Sequence, residues 1–173
     1  KLVMLDCSDN QLGQLDISGL KSAKYIYFMN NKITNLIVGE LPLLEELNAS
    51  FNGLNSINLT KLPALKALSV DNNSISNLVV DRNTKLEALY CKKNKMQNLD
   101  VTMLPNLKEL SASHNRLSAI DLSKNTELEE LDLKDNSLTE LDLTNNINLE
   151  EINVSENKLA SLDLSKCTKL TEL

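Results

Sequence analysis

The chain has 173 residues, 42% hydrophobic and 3% aromatic, with a formal charge of −6: enough apolar material for one substantial core, and no basic excess with which to grip nucleic-acid phosphates or an anionic lipid surface. No apolar run approaches the ~18 residues needed to span a bilayer, and three cysteines without a C-x-x-C pair exclude a complete disulfide framework. Residues 1–86 carry eight acidic and eight basic side chains and residues 87–173 sixteen against ten, so the whole acidic excess lies in the C-terminal half.

Along the chain, Asn10, Asn31, Asn52, Asn73, Asn94, Asn115, Asn136 and Asn157 recur every 21 residues without a slip. Register this strict means that each block is one structural unit stacked on the next. In the first unit the apolar residues fall at Leu2, Leu5, Cys7, Leu12, Leu15, Ile17 and Leu20. Their gaps sustain neither a 3.6-residue period nor a period of two, which predicts a short strand, a turn, and then a second extended or 3₁₀-like segment. Later units keep the scheme. Ile26, Leu47, Leu68, Leu89, Leu110, Leu131 and Ile152 repeat Leu5, while Phe28, Ala49, Val70, Cys91, Ala112, Leu133 and Val154 repeat Cys7. Leu15, Leu36, Ile57, Leu78, Leu99, Ile120, Leu141 and Leu162 form the far wall. The expected organisation is one domain over residues 1–173, made of eight repeats and the start of a ninth at Leu170 and Leu173. Because solenoids shield their end repeats, the lack of a polar closing unit predicts a piece of a longer protein without its caps.

Stretches such as Leu128-Glu-Glu-Leu-Asp-Leu-Lys-Asp-Asn136-Ser-Leu138 resemble the L-x-x-L-x-L-x-x-N-x-L signature of leucine-rich repeats, and the match covers essentially the whole chain. The nested half-repeat in Leu138-Thr-Glu-Leu-Asp-Leu-Thr-Asn-Asn146, the 21-residue length and cysteine at the second core position of the strand resemble a short bacterial subclass. The resemblance implies a leucine-rich-repeat solenoid, a right-handed arc with short parallel strands on its concave face. Long convex helices do not fit in 21 residues, and Pro42, Pro63 and Pro105 follow leucines where one unit passes to the next, disfavouring helical geometry there. The convex side is therefore expected to be loop, extended or 3₁₀ chain, nearly free of helix.

A buried asparagine presents one acceptor and two donors, so the asparagine ladder is read as the scaffold's own hydrogen bonding. An incomplete second column, Asn83, Asn125 and Asn146, is expected to do the same job on the far side. Asp16, Asp100, Asp121, Asp142 and Asp163 point outward between core residues. A string of divalent cations there would need six to eight oxygens per ion from closed loops, and Ile37, Asn58 and Val79 interrupt the series, so local bonding to turn backbone is the expected role. Cys7 and Cys91 share one inward position four strands apart, about 19 Å at ~4.8 Å per strand, too far to bridge. No histidine joins them in ligand spacing, so neither a disulfide nor a metal site is expected. Sequons at Asn48, Asn58, Asn72 and Asn153 are expected by chance in so asparagine-rich a chain.

Function is sought at positions that vary between units. Residues alternating with the strand's core positions face the concave surface, four per unit, and every Tyr, the single His and one of the two Phe residues fall among them. Tyr25, Tyr27, Met29, Phe51, Tyr90, Lys92, Lys93 and His114 are the candidate ligand-binding residues, because exposed aromatic groups are common anchors of interfaces. Glu130, Asp132, Asp135, Glu151 and Glu156 form an acidic patch read either as a solvated face or as steering for a basic partner. His114 has no Ser or Cys nucleophile placed beside it, so no catalytic residue and no cofactor are assigned. The expected function is a non-enzymatic recognition module with a protein partner, carbohydrate being an alternative and nucleic acid not expected. The family resemblance adds a bacterial cell-surface or secreted setting and a role in adhesion or host interaction. A substrate-recognition region of an effector with a separate catalytic domain and a purely architectural spacer are the other readings. Oligomeric state is not indicated.

Overall fold

The computed structural model describes residues 1–172, and in it each 21-residue unit forms one turn of a coil. The strands are β1 (Met4–Asp6), β2 (Gln14–Asp16), β3 (Tyr25–Tyr27), β4 (Asn35–Ile37), β5 (Glu46–Asn48), β6 (Ala67–Ser69), β7 (Ala88–Tyr90), β8 (Glu109–Ser111), β9 (Glu130–Asp132) and β10 (Glu151–Asn153). Eight of them form one parallel sheet in the order β1-β3-β5-β6-β7-β8-β9-β10, and β2 pairs with β4 in a small second sheet. Register is fixed by the period: Leu5 lies opposite Ile26, Ile26 opposite Leu47, and so on to Leu131 opposite Ile152. A bridge from Glu151 to Glu172 opens the next rung; Leu173, expected to continue that unit, lies outside the described residues. None of the described residues is helical.

From β5 to β10, and in β3, a strand buries only its middle residue. In β3, β5, β6, β7 and β8 a fully or almost fully buried Ile or Leu is flanked by two half-buried residues on the opposite face, as the period-two alternation of a strand requires. Three residues past each strand of the eight-stranded sheet the backbone swings into the left-handed region, with φ between 51° and 57° at Asp9, Asn30, Phe51, Asn72, Lys93, His114, Asp135 and Glu156. That turn presents the ladder asparagine to the core.

Asn94 is representative of the ladder. Its Nδ2 donates to the carbonyls of Val70, Cys91 and Lys92, and its Oδ1 accepts the N–H of Ile75 at 2.9 Å. One side chain thus closes its own turn and joins it to the preceding unit. Asn31, Asn52, Asn73, Asn115, Asn136 and Asn157 likewise donate to a carbonyl 24 residues back. The second column differs. Asn83, Asn125 and Asn146 donate to carbonyls 24 and 21 residues back, but their Oδ1 atoms are buried without a partner. Cys167 extends this column, its thiol lying 3.7 Å from the Asn146 carbonyl oxygen.

On the return side the aspartates engage local backbone. Asp16, Asp100, Asp121, Asp142 and Asp163 each accept the N–H of the Ser or Thr two residues on. Hydroxyl and amide donation from that residue holds the carboxyls of Asp16, Asp100, Asp121 and Asp142 below the usual range, while at Asp163 the Ser165 amide has the larger effect. Two reverse turns then bring the chain back to the sheet, as in the bonds Leu62 N to Leu59 O and Leu65 N to Leu62 O. Pro42, Pro63 and Pro105 each occupy the second residue of such a turn, where a fixed φ is favourable and a missing N–H costs nothing. Of the loop, extended or 3₁₀ chain expected on this side, the structure uses extended chain at β2 and β4 and separate turns after it, each change of direction ending after one bond. At Gly39 two turns approach closely: a Cβ there would sit 2.4 Å from the Ser18 carbonyl oxygen.

The core is one continuous column from Ile17 to Ile152, with leucines such as Leu47, Leu68 and Leu107 wholly shielded. Each such side chain contributes roughly 1.5–3 kcal/mol on burial. Cys7, Cys91 and Cys167 are free, and burial pushes the Cys91 thiol strongly upward.

Candidate binding face

The short strands put two side chains per unit on the solvent face of the sheet, and the turn that follows adds a third and a fourth. The four positions per unit expected to face the concave surface are thus divided between strand and turn, because the chain leaves the pleat after the second. At the third position Ser50 and Ser113 are buried, so those two do not face a ligand. The fourth is the left-handed residue.

The N-terminal units group apolar side chains diagonally across the face. Tyr25 and Tyr27 project from β3 and are half-buried, Met29 follows in the turn, and Phe51 stands at 47% exposure one unit later. Burial raises the Tyr27 hydroxyl to about 12, with the Glu46 carboxylate adding to the effect, so it remains a neutral donor. Phe51 holds a φ of 55°. Asn, Asp and His tolerate that region, whereas a bulky side chain there is an outlier, so Phe51, Lys93 and Glu156 stand where the backbone prefers other residues.

In the middle of the face, Tyr90 donates its hydroxyl to the Glu109 carboxylate on the next strand, and burial, followed by that carboxylate, pushes the phenol upward. The Lys92 backbone N–H donates to Asp71 Oδ1 at 2.8 Å, and its ammonium lies 3.8 Å from Asp71 Oδ2. Asp71 is raised by burial, with the Lys92 contacts opposing that rise. Lys93 is exposed to solvent. His114 Nδ1 is 2.8 Å from Asp135 Oδ2.

The acidic patch divides in two. Asp135 is engaged by His114, Glu156 by the Lys134 ammonium at 3.2 Å, and Asp132 accepts the Lys134 N–H. Glu130 and Glu151, in contrast, stand in register on neighbouring strands without a cation beside them among the described residues. Glu109 and Glu172 extend the same column on either side. Burial at the sheet surface, and then the charges of Glu109 and Glu151, raise the Glu130 carboxyl above its ordinary value. These four carboxylates and Tyr90 line a depression of about 810 Å³ that also reaches core side chains at the C-terminal end, among them Ile152, Val154 and Leu162. Glu109 and Glu172 are findable at 21-residue steps from Glu130, but the pairing of Asp135 and Glu156 depends on side-chain reach, which spacing does not give.

Along part of the sheet's leading edge opposite charges alternate, until Glu129 and Glu150 follow one another on successive units. Lys24, Glu45 and Lys66 alternate on successive units with contacts of 2.8 and 3.1 Å, and Lys108 meets Glu129 at 3.2 Å. No group of three or more His, Cys, Asp or Glu side chains suited to a metal ion occurs among the described residues.

No family model matches the sequence, and no curated protein does. Solved structures match along nearly its whole length. The functional domain of InlJ from Listeria monocytogenes, which includes a cysteine ladder, aligns at 30% identity with a TM-score of 0.81, over 99% of this chain and 43% of its own. A leucine-rich-repeat protein from Leptospira interrogans aligns at 28% identity with a TM-score of 0.90, over 99% and 48%. The chain is a leucine-rich-repeat solenoid. An internalin from Listeria monocytogenes, inlF, agrees in fold at 23% identity, with a TM-score of 0.88 over 99% of this chain and 54% of that one. The solenoid thus spans about half the length of these structures. Its own cysteines occupy only two of eight equivalent strand-exit positions, Cys7 and Cys91, with Phe28, Ala49 and Val70 between them, so the leucine-rich-repeat core is packed there by mixed apolar groups.

Proposed function

We propose that the solenoid is a non-enzymatic protein-recognition module that binds through its concave sheet face, as an adhesion or host-interaction region of a bacterial surface or secreted protein. The observation that carries this reading is that two features share the concave face: a diagonal of Tyr25, Tyr27, Met29 and exposed Phe51 at one end, and at the other a glutamate column with no cation beside Glu130 and Glu151 among the described residues. The scaffold beneath is held by ladder bonds at every unit, so little ordering would be lost on docking. The chemistry suits a partner that offers apolar side chains to the aromatic end and a Lys- or Arg-rich segment to Glu109, Glu130 and Glu151. Tyr90, Lys92, Lys93 and His114 lie between the two and would set register. Likeness to InlJ and to the Leptospira repeat protein supports the bacterial setting.

The test is capture of host-cell surface proteins on immobilised solenoid, with two variants run beside it: Tyr25→Ser with Tyr27→Ser and Phe51→Ser, and Glu130→Gln with Glu151→Gln. A partner retained by the wild type and lost from the triple variant, with association to the glutamine pair slowed and less sensitive to salt, is the expected result. Retention by all three chains would refute the concave site.

A further inference from the structure

A second place on the solenoid gathers positive charge in a chain whose net charge is −6. Just past the ladder asparagines, Ser76 and Asn77 of one unit, Lys95, Gln97 and Asn98 of the next, and Arg116 of the third line a shallow polar cleft of about 470 Å³. No carboxylate contributes to its lining.

The column containing Lys95 reads Gln11, Lys32, Gly53, Ser74, Lys95, Arg116, Ser137 and Lys158. Only Lys95 and Arg116 place two cations on successive units. Like charges on neighbouring units repel, and at Lys24, Glu45 and Lys66 alternation relieves that repulsion, whereas at Lys95 and Arg116 it does not. Neither Lys95 nor Arg116 has an ion-pair partner among the described residues, whereas Lys32 in the same column donates to Gln11. Some surface amides are tied down as well: Asn106 donates to the Thr84 carbonyl and Asn148 to that of Thr126. The side chains of Asn77, Gln97 and Asn98 have no such bond among the described residues. Two uncompensated cations are thus surrounded by free amides and a free hydroxyl, in a protein whose net charge is −6.

The geometry points to a binding site for an oxyanion carried on a small hydroxylated molecule, in chemical terms an acidic sugar bearing a carboxylate or a sulfate. Arg116 offers a planar fork of donors that matches such an oxyanion, and Lys95 a compact second charge. Ser76, Asn77, Gln97 and Asn98 supply donors and acceptors together, which a bare anion cannot use but sugar hydroxyls can. The cleft has room for more than the anion itself. This site is separate from the concave face, so its failure would leave that reading untouched.

The experiment titrates the 173-residue chain with four probes: a disaccharide bearing a carboxylate, one bearing sulfate, their neutral parent, and inorganic sulfate. Side-chain amide signals of Asn77, Gln97 and Asn98 are followed by NMR, and affinity by calorimetry. One or both charged disaccharides should shift those three signals, the stronger identifying the preferred anion, while the neutral sugar should not and inorganic sulfate should bind about tenfold more weakly or worse. Lys95→Ser and Arg116→Ser place at these positions the residue that Ser74 and Ser137 already supply in flanking units, so folding is preserved. Each should lower affinity about tenfold, and Lys32→Ser should leave it unchanged. Shifts spread over the whole surface, equal weakening by Lys32→Ser, inorganic sulfate binding as tightly as the sugars, or no response at millimolar probe would overturn the assignment.

Discussion

Replacing Asn94 by Ala removes four hydrogen bonds, but their losses are unequal. The Val70 carbonyl keeps Asn73 Nδ2 at 3.1 Å, the Cys91 carbonyl keeps Asn115 Nδ2 at 3.0 Å, and the Lys92 carbonyl keeps the Asn72 N–H at 2.9 Å. Only the Ile75 N–H loses its single partner. A buried orphan donor costs about 1–3 kcal/mol and each backed-up carbonyl bond less than about 1 kcal/mol, so with partial collapse of the space left the expected loss is about 2–4 kcal/mol. Against the roughly 5–15 kcal/mol that holds a domain folded, urea melts should show a clear fall in midpoint with an unchanged slope. Asn94→Asp sharpens the test. It keeps an acceptor for Ile75 yet turns a carboxylate toward three carbonyl oxygens, so at neutral pH it should be worse than alanine. A loss below about 0.5 kcal/mol for alanine, or an aspartate variant as stable as the wild type, would refute this account of the ladder.

Neighbouring columns give further tests. Asn125→Leu should be neutral or stabilising by calorimetry, because it removes a buried unpaired Oδ1 while the Val101 and Leu104 carbonyls keep turn bonds from Leu104 and Leu107, and Leu62 and Leu104 already occupy equivalent positions; a fall in melting temperature would contradict it. Phe51→Asn should stabilise the free chain by roughly 0.5–1 kcal/mol in urea, since asparagine tolerates φ of 55°, and should abolish the proposed protein binding; a destabilised variant would argue against strain at that turn. Gly39→Ala should cost roughly 1–3 kcal/mol, because the new Cβ meets the Ser18 backbone, while Gly13→Ala, with open space around it, serves as control. Glu130 is raised when folded, so the native state holds its proton above the ordinary carboxylate range and wild type loses stability as pH rises through that window. Glu130→Gln should therefore gain on wild type in thermal melts as pH is raised toward neutrality, and an unchanging difference would exclude the effect.

The solenoid is legible in sequence because an unbroken 21-residue period fixes register, and register decides which residues meet: Leu5 with Ile26, Tyr25 with Glu46. Placement of Tyr25, Tyr27 and Tyr90 on the sheet face follows from alternation alone. The left-handed turn is not legible, since Asp, Asn, Phe, Lys, His and Glu all occupy it and the asparagines that would signal it appear at only some units. Burial of Ser50 and Ser113 is hidden for a related reason: alternation ends where the strand ends, one residue past the core position. The second asparagine column looks in sequence like a duplicate of the first, but hydrogen-bond capacity is not hydrogen-bond use, and at Asn83, Asn125 and Asn146 the acceptor is idle. Which carboxylates neutralise which cations depends on side-chain reach, as the division between Glu130 and Asp135 illustrates.

Because every unit meets its neighbours through the same set of columns, distance along this protein comes in equal increments. Excising one whole period, residues 53–73, would join Asn52 directly to Ser74, which then takes the position that Gly53 holds, and each remaining asparagine would stay one rung from the next. Phe51 and the glutamate column would then stand closer by one strand spacing, about 4.8 Å. Duplicating a period would part them by the same amount. A partner that touches both ends of the face would read such insertions and deletions as steps of fixed size, so the span between its own apolar and basic contacts could be measured by counting which repeat number binds best.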